Sequence, residues 1–139
     1  YESEKKIKVK IITELMVTNP LKKALDIDSC VKLLINKKAD SSIAMGRLYD
    51  HHPSRIKFLD SEGAICDFYP EVPESRRQDL KPDAYIRAGS IYVMTRDQIT
   101  SGQRYGIGKS LGYKLPDERF INIDQLRDLK IAEQVMKEF

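Results

Sequence analysis

The strongest constraint on this fold is the order of patterns in residues 1–49: a strand, a turn, an amphipathic helix and a second strand. Residues 6–17 read as the strand. Ile7, Val9 and Ile11 alternate with lysines, and the run then turns apolar on both faces through Leu15 and Val17. Thr18-Asn19-Pro20 stops it, because Pro20 has no N–H to give a sheet ladder. Ile27, Cys30, Val31, Leu34 and Ile35 then follow the spacing of one helical face. Asp26 or Asp28 suits the start of that helix, and Lys37 and Lys38 suit its negative end. Residues 41–49 supply the second strand. A helix of this length between two strands is the β-α-β unit of an α/β protein, with a right-handed crossover.

The texture then changes. Residues 55–59 and 64–69 read as strands joined by Asp60-Ser61-Glu62-Gly63, with Gly63 in the left-handed turn position. Pro70 and Pro73 lead through a polar loop, SRRQDLKPD, to a long strand over residues 84–95. That strand does not alternate cleanly, and Ala88-Gly89 marks a bulge or a close backbone approach. Residues 50–95 are therefore expected to form a β-rich arm that leaves the main sheet and returns to it. Near the end, Leu126, Leu129, Ala132, Val135, Met136 and Phe139 share a helical face. Just before it, residues 120–124 read as a short strand whose acid, Asp124, lies at the C-terminal edge of a sheet, where α/β folds bind ligands. The plainer role for Asp124 is to cap the last helix.

Composition excludes several chemistries. With 139 residues, 41% of them hydrophobic and 32% charged, residues 1–139 are enough for a single domain with one core. No apolar run nears the ~18 residues of a membrane span. The opening YESEKKIKVK lacks a signal peptide's apolar segment, so no membrane role and a cytoplasmic location are expected. The whole +3 charge arises within residues 1–46. Lys5, Lys6, Lys8 and Lys10 read as a solvated or edge-protecting face, and the tyrosines do not interleave with basic residues, so nucleic acid is not expected. Cys30 and Cys66 have no CxxC or CxxH setting and read as reduced thiols filling core space rather than zinc ligands. His51 and His52 are adjacent, so their side chains tend to diverge, and no Cys/His nucleophile is supported.

Five motifs occur in order: Thr18-Asn19-Pro20-Leu21; His51-His52-Pro53-Ser54-Arg55; Arg76-Arg77-Gln78-Asp79-Leu80; residues 85–92, YIRAGSIY; and Asn122-Ile123-Asp124 with Asp128 beyond it. From about Leu15 to the end, this order resembles the acylneuraminate cytidylyltransferase family, the CMP-sialic acid synthetases and their relatives. The resemblance implies a three-layer, nucleotide-diphosphosugar-transferase-like (Rossmann-like) α/β sheet, with residues 50–95 as an inserted dimerisation arm. It also implies a nucleotidyl transfer. The anomeric hydroxyl of a nine-carbon 2-keto sugar acid attacks the α-phosphate of CTP, with Mg²⁺ (or Mn²⁺) as cofactor and a homodimer as the assembly. By the same resemblance, Asp124 matches the metal-binding acid; Asn122 stands where some members carry a second acid, and metal binding by it is open. Arg77 matches an arginine facing the acidic sugar, Arg55 a basic position near the substrate, and Tyr92 a sugar-pocket tyrosine. No residue matches as catalytic. For Arg76 and Arg77 the plainer reading is a solvated loop paired with Glu71 or Glu74; for Tyr92 it is core packing.

The departures matter. Where the family has Leu-Gln-Pro-Thr-Ser-Pro-Leu-Arg, Met16 and Val17 replace Gln-Pro and Lys22 replaces Arg. Where it has Arg-Asn-Gly-Ala-Ile-Tyr, the asparagine amide is lost at Ala88. A different ulosonic acid, or weakened activity, is the expectation. The family opens with a strand and an Ala-Arg-Gly-Gly-Ser-Lys type of loop that cradles the CTP phosphates. Gly102, Gly106, Gly108 and Gly112 follow a different context. The expectation is thus a C-terminal portion with its N-terminal part missing, inactive alone and completed by an N-terminal fragment or partner chain. The alternative is a non-catalytic dimerisation or regulatory module derived from the same family.

Overall fold

The computed structural model describes residues 1–69 and 76–138. In chain order these form α1 (Glu2–Lys5), β1 (Ile11–Leu15), α2 (Ala24–Lys37), β2 (Ser41–Leu48), β3 (Lys57–Leu59), β4 (Ile65–Asp67), β5 (Ala84–Thr95), α3 (Arg96–Thr100), β6 (Ser110–Lys114) and α4 (Leu126–Met136). Contacts divide the chain into two units, residues 1–46 with 87 onward, and residues 47–86.

The first unit is α/β, as the sequence predicts: a mixed four-stranded sheet in the order β1-β5-β2-β6, with helices. β1 and β5 are antiparallel, with Ile12 opposite Met94 and Glu14 opposite Tyr92, whereas β2 and β6 are parallel. β5 lies between β1 and β2, so the two strands of the β-α-β unit are not neighbours. The helical stripe forms the core: Cys30 and Leu34 pack with Ala44, Ala88, Ile91, Val93 and Leu115, flanked by Ile27 and Val31. Each fully buried large aliphatic side chain there contributes about 1.5–3 kcal/mol. Ile35, expected on the same stripe, is exposed.

Both ends of α2 are fixed by polar groups. The Asp26 carboxylate accepts from the Lys23 N–H at 2.8 Å, closing the first turn. The same carboxylate is fully buried and accepts from the Tyr113 hydroxyl at 2.9 Å and from Arg119 Nε and Nη2 at 3.0 and 2.9 Å. At the other end Lys38 turns left-handed (φ 48°) and the Ala39 N–H donates to the Leu34 carbonyl at 3.0 Å. The cation on the negative end is Lys109, whose Nζ donates to the Lys37 carbonyl at 2.8 Å.

Several expectations are corrected. The strand predicted from residue 6 begins at Ile11; before it, Glu2 accepts from the Val9 N–H at 2.7 Å and pairs with Arg96, which draws the lysine-rich stretch out of the ladder. Residues 120–124 form no strand; the Ile123 N–H donates to the Thr18 carbonyl, in the turn after β1, at 2.7 Å. On α4 only Ala132 of the predicted face is buried, while Leu126, Leu129 and Met136 are exposed; Phe139 lies outside the described residues. β6 was not foreseen, since Ser-Leu-Gly-Tyr-Lys carries too few apolar residues to signal a strand.

In the second unit, β3 and β4 form an antiparallel hairpin with a Lys57–Asp67 ion pair of 2.6 Å at its open end. Its turn is built as predicted: Gly63 takes φ 86°, and Asp60 Oδ1 accepts from the Glu62 and Ala64 N–H groups at 2.9 Å. Phe58, Leu59, Ile65 and Phe68 are all exposed, with Phe58 and Phe68 in an edge-on ring contact at 5.5 Å. Cys66, expected to fill core space, is exposed on β4, because neither face of this two-stranded ribbon is covered within the unit; Cys30 is buried as expected. The strands predicted over 55–59 and 64–69 are shorter, residues 53–55 forming a 3-10 turn instead. Residues 70–75, with Pro70, Pro73, Glu71 and Glu74, lie outside the described residues. Among the described residues no helix is long and apolar enough to cross a membrane.

Candidate functional site

Three segments far apart in sequence meet in the first unit at a bulge in β5. Gly89 holds φ +59°, a left-handed conformation that an L side chain rarely adopts. The extra residue explains the broken alternation: Ala88, Ile91 and Val93 share one core cluster, while Tyr92 and Met94 join another with Ile43. Around the bulge, Asn19 Nδ2 donates to the Ala88 carbonyl at 3.5 Å and the Met16 N–H to the Ser90 carbonyl at 2.9 Å. A side chain at position 89 would start 3.5 Å from Asn122 Oδ1.

Asn19 and Ser90 are fully buried, yet Asn19 Oδ1, Ser90 Oγ and the buried Oδ1 of Asn122 have no hydrogen-bond partner among the described residues. An unpaired buried polar group costs about 1–3 kcal/mol. Three on the segments that meet at one bulge mark a place where water or a polar ligand supplies the missing bonds.

Asp124 sits at the edge of this cluster, its Oδ2 accepting from Asn122 Nδ2 at 2.8 Å. Capping of α4 falls instead to Asp128, which accepts from the N–H groups of Asp124 and Gln125 at 3.1 and 3.0 Å. The Asp124 carboxylate is thereby left exposed. What faces Asp124 is the Asn122 NH₂, whereas Asn122 Oδ1 is buried against Gly89, so a hard cation such as Mg²⁺ would meet one carboxylate here and draw its other oxygens from water and substrate. Among the described residues no three His, Cys, Asp or Glu side chains gather to hold a metal.

Tyr92 lies further along the same stretch of β5, packed with Ile43, Met94 and Met16 and only 7% exposed. Its ring face carries the Arg104 guanidinium, 5.4 Å from the centroid. Arg104 is in turn clasped by Glu14, which accepts from Nε at 2.5 Å and Nη2 at 2.7 Å. The Arg104 bonds hold the Glu14 carboxyl below its ordinary pKa. Beside the pair, over the β1/β5 face, opens a cavity of about 600 Å³ lined by Ile12, Thr13, Glu14, Met94, Gln103 and Arg104.

Arg55 and Arg77 belong to the second unit. Arg77 Nη1 donates to Asp50 Oδ1 at 2.5 Å, so its partner is Asp50, and Glu71 and Glu74 lie outside the described residues. The Arg77 bond and charge, then more weakly the charges of His51 and Arg55, hold the Asp50 carboxyl below its ordinary range. A cavity of about 280 Å³ in this unit is lined by Arg47, Tyr49, His52, Arg77, Gln78 and Asp83, with Arg47 paired to Asp83 at 2.9 Å. His52 Nδ1 accepts from the Ser54 N–H at 3.3 Å, which assigns the proton to Nε2, 2.9 Å from the Pro82 carbonyl. With both nitrogens engaged, His52 ties its turn to residue 82.

Glu14, Asn19, Asp50 and Arg104 escaped sequence reasoning. Asn19 stands inside a turn that is also a resemblance motif, but no role attaches to its side chain there; the other three have no spacing signal, since their partners lie 27 to 90 positions away. No known family model matches the chain, and no curated protein matches its sequence.

Proposed function

We propose that this chain supplies the sugar- and metal-binding side of a cytidylyltransferase that activates a nine-carbon 2-keto sugar acid with CTP. The observation that carries this reading is the meeting of three resemblance motifs, 18–21, 85–92 and 122–124, at the β5 bulge, with buried polar atoms left unpaired there. In the reaction, the anomeric oxygen bonds to the α-phosphorus. The bond from that phosphorus to the pyrophosphate oxygen breaks, and the hydroxyl proton passes to solvent. Little covalent work falls to the protein; positioning and charge neutralisation dominate.

In this reading Arg77 and Arg55, in the second unit, carry the positive charge that the resemblance assigns to the acidic substrate, and Tyr92, in the first, is the residue it assigns to the sugar. Asp124 would hold Mg²⁺ or Mn²⁺, which when bound would neutralise phosphate charge. A phosphate cradle comes from an N-terminal fragment or partner chain. The nucleotide-diphosphosugar-transferase-like (Rossmann-like) arrangement and a cytoplasmic location go with this reading. So does a homodimer, for which the exposed apolar hairpin of Phe58, Leu59, Ile65 and Phe68 is the natural surface.

The second reading, a non-catalytic dimerisation or regulatory module, is favoured by the buried Ala88 methyl and by Met16, neither of which offers a sugar a hydrogen bond. Calorimetric titration of N-acetylneuraminate into the chain, with and without Mg²⁺, separates the two. The enzyme reading expects binding that weakens at least tenfold in Arg77→Ala, and loss of turnover for that variant in the completed enzyme. A wild-type chain that takes up no sugar acid, or an Arg77→Ala enzyme with near-normal kcat/KM, rejects these assignments.

A further inference from the structure

We propose that Arg104 is a carboxylate-binding residue of the cavity over β1 and β5, and that Glu14 is a resident carboxylate which an acidic ligand displaces. Glu14 and Tyr92 face each other across β1 and β5. Arg104 lies over the Tyr92 ring, its guanidinium face taken by the aromatic surface and its Nε and Nη2 edge presented to Glu14. That edge, filled by both Glu14 oxygens, is the fork that any small carboxylate would occupy in the same bidentate way.

The pair stands at the mouth of the 600 Å³ cavity, whose apolar lining of Ile12, Met94 and Ile99 suits the carbon body of a ligand, while Thr13 and Gln103 offer hydrogen bonds. Arg104 is half exposed and Glu14 about one-third exposed. An ion pair so solvated is weak, so exchanging one carboxylate for another costs little. Arg104 also sits between Gly102 and Gly106, both at left-handed φ (+81° and +95°), in a segment without helix or strand. This inference rests on the sugar-acid reading only for the body of the ligand; the carboxylate site stands on the geometry.

The test uses the full-length ¹⁵N-labelled chain, follows the Arg104 Nε–H and the Tyr92 ring by NMR, and titrates acetate, N-acetylneuraminate and the uncharged N-acetylmannosamine. In the wild type both acids move the Arg104 signal and the neutral sugar does not. Glu14→Gln binds both acids three- to tenfold tighter, and Arg104→Lys, which keeps the charge but not the fork, loses at least fivefold. If Glu14→Gln fails to fold, the wild-type titration decides: an Arg104 signal unmoved at saturating acetate overturns the proposal. N-acetylneuraminate binding that leaves Arg104 unmoved and is unchanged in Glu14→Gln overturns the proposal while the sugar-acid reading stands. Acetate that displaces Glu14, with N-acetylneuraminate no tighter than acetate, upholds the site and removes the sugar-acid reading.

Discussion

Asp26→Asn is the most informative perturbation of the fold. Asp26 has no exposed surface and receives four donors: the Lys23 N–H, the Tyr113 hydroxyl, and Nε and Nη2 of Arg119, whose own side chain is 12% exposed. Burial pushes its pKa up, but the bonds from Arg119, Lys23 and Tyr113 together outweigh that and leave it below the ordinary value. The amide is isosteric, so no cavity forms. What it removes is the counter-charge of a buried guanidinium, and it turns an NH₂ group toward donors. Breaking one side of a buried ion pair costs about 3–5 kcal/mol. At about 2.1 cal/mol/K of unfolding entropy per residue, the 139-residue chain should lose about 10–17 °C in Tm. Thermal unfolding by calorimetry reads this directly, and the double variant with Arg119→Met should be less destabilised than the two single variants added. A Tm within 3 °C of wild type, or strict additivity, would refute the claim that this pair fastens α2 to the segment after β6.

The same network sets a pH window. Asp26 titrates lower in the folded chain, so its contribution is full above the unfolded value near ~4 and is lost as pH falls through the folded one. Tyr113 is raised, by burial first and then by its bond to Asp26, so its contribution is full below ~10 and is lost as pH rises. A Tm that does not fall on both sides of that window contradicts the network. Burial pushes the Cys30 thiol up to about 12, whereas Cys66 is exposed, so alkylation of the native chain at pH 8 should add a single group, at Cys66. Intact mass after labelling checks this, and native modification of Cys30 would overturn it. If the proposed homodimer forms through the hairpin, Phe58→Asp should dissociate it in sedimentation velocity without lowering Tm, since Phe58 is 57% exposed in the single chain; an unchanged sedimentation coefficient removes the hairpin as the interface.

Local patterns carried the elements whose burial is set within a few residues. The Ile27, Cys30, Val31, Leu34 spacing faces the core because a helix repeats every 3.6 residues, and the Gly89 bulge was visible as a break in the two-residue period of β5. Gly63 was legible because its turn needs a positive φ. The same patterns failed where a distant partner decided the outcome. The lysine-rich stretch left the sheet when Glu2 took the Val9 N–H and paired with Arg96. The apolar period of α4 and the setting of Cys66 failed in the same way: Leu126, Leu129, Met136 and Cys66 stay exposed among the described residues.

Sequence by itself determined that this chain forms an α/β sheet with one buried helix face, since period and turn chemistry are local. Only the tertiary structure decided that Asn19, Gly89 and Asn122 adjoin, that Asp128 rather than Asp124 caps the last helix, and that Arg104 lies on Tyr92 in the grip of Glu14. These are pairings across 12 to 90 positions or choices between neighbouring acids, and neither leaves a period in the chain. They are fixed by which buried groups find partners when the strands align.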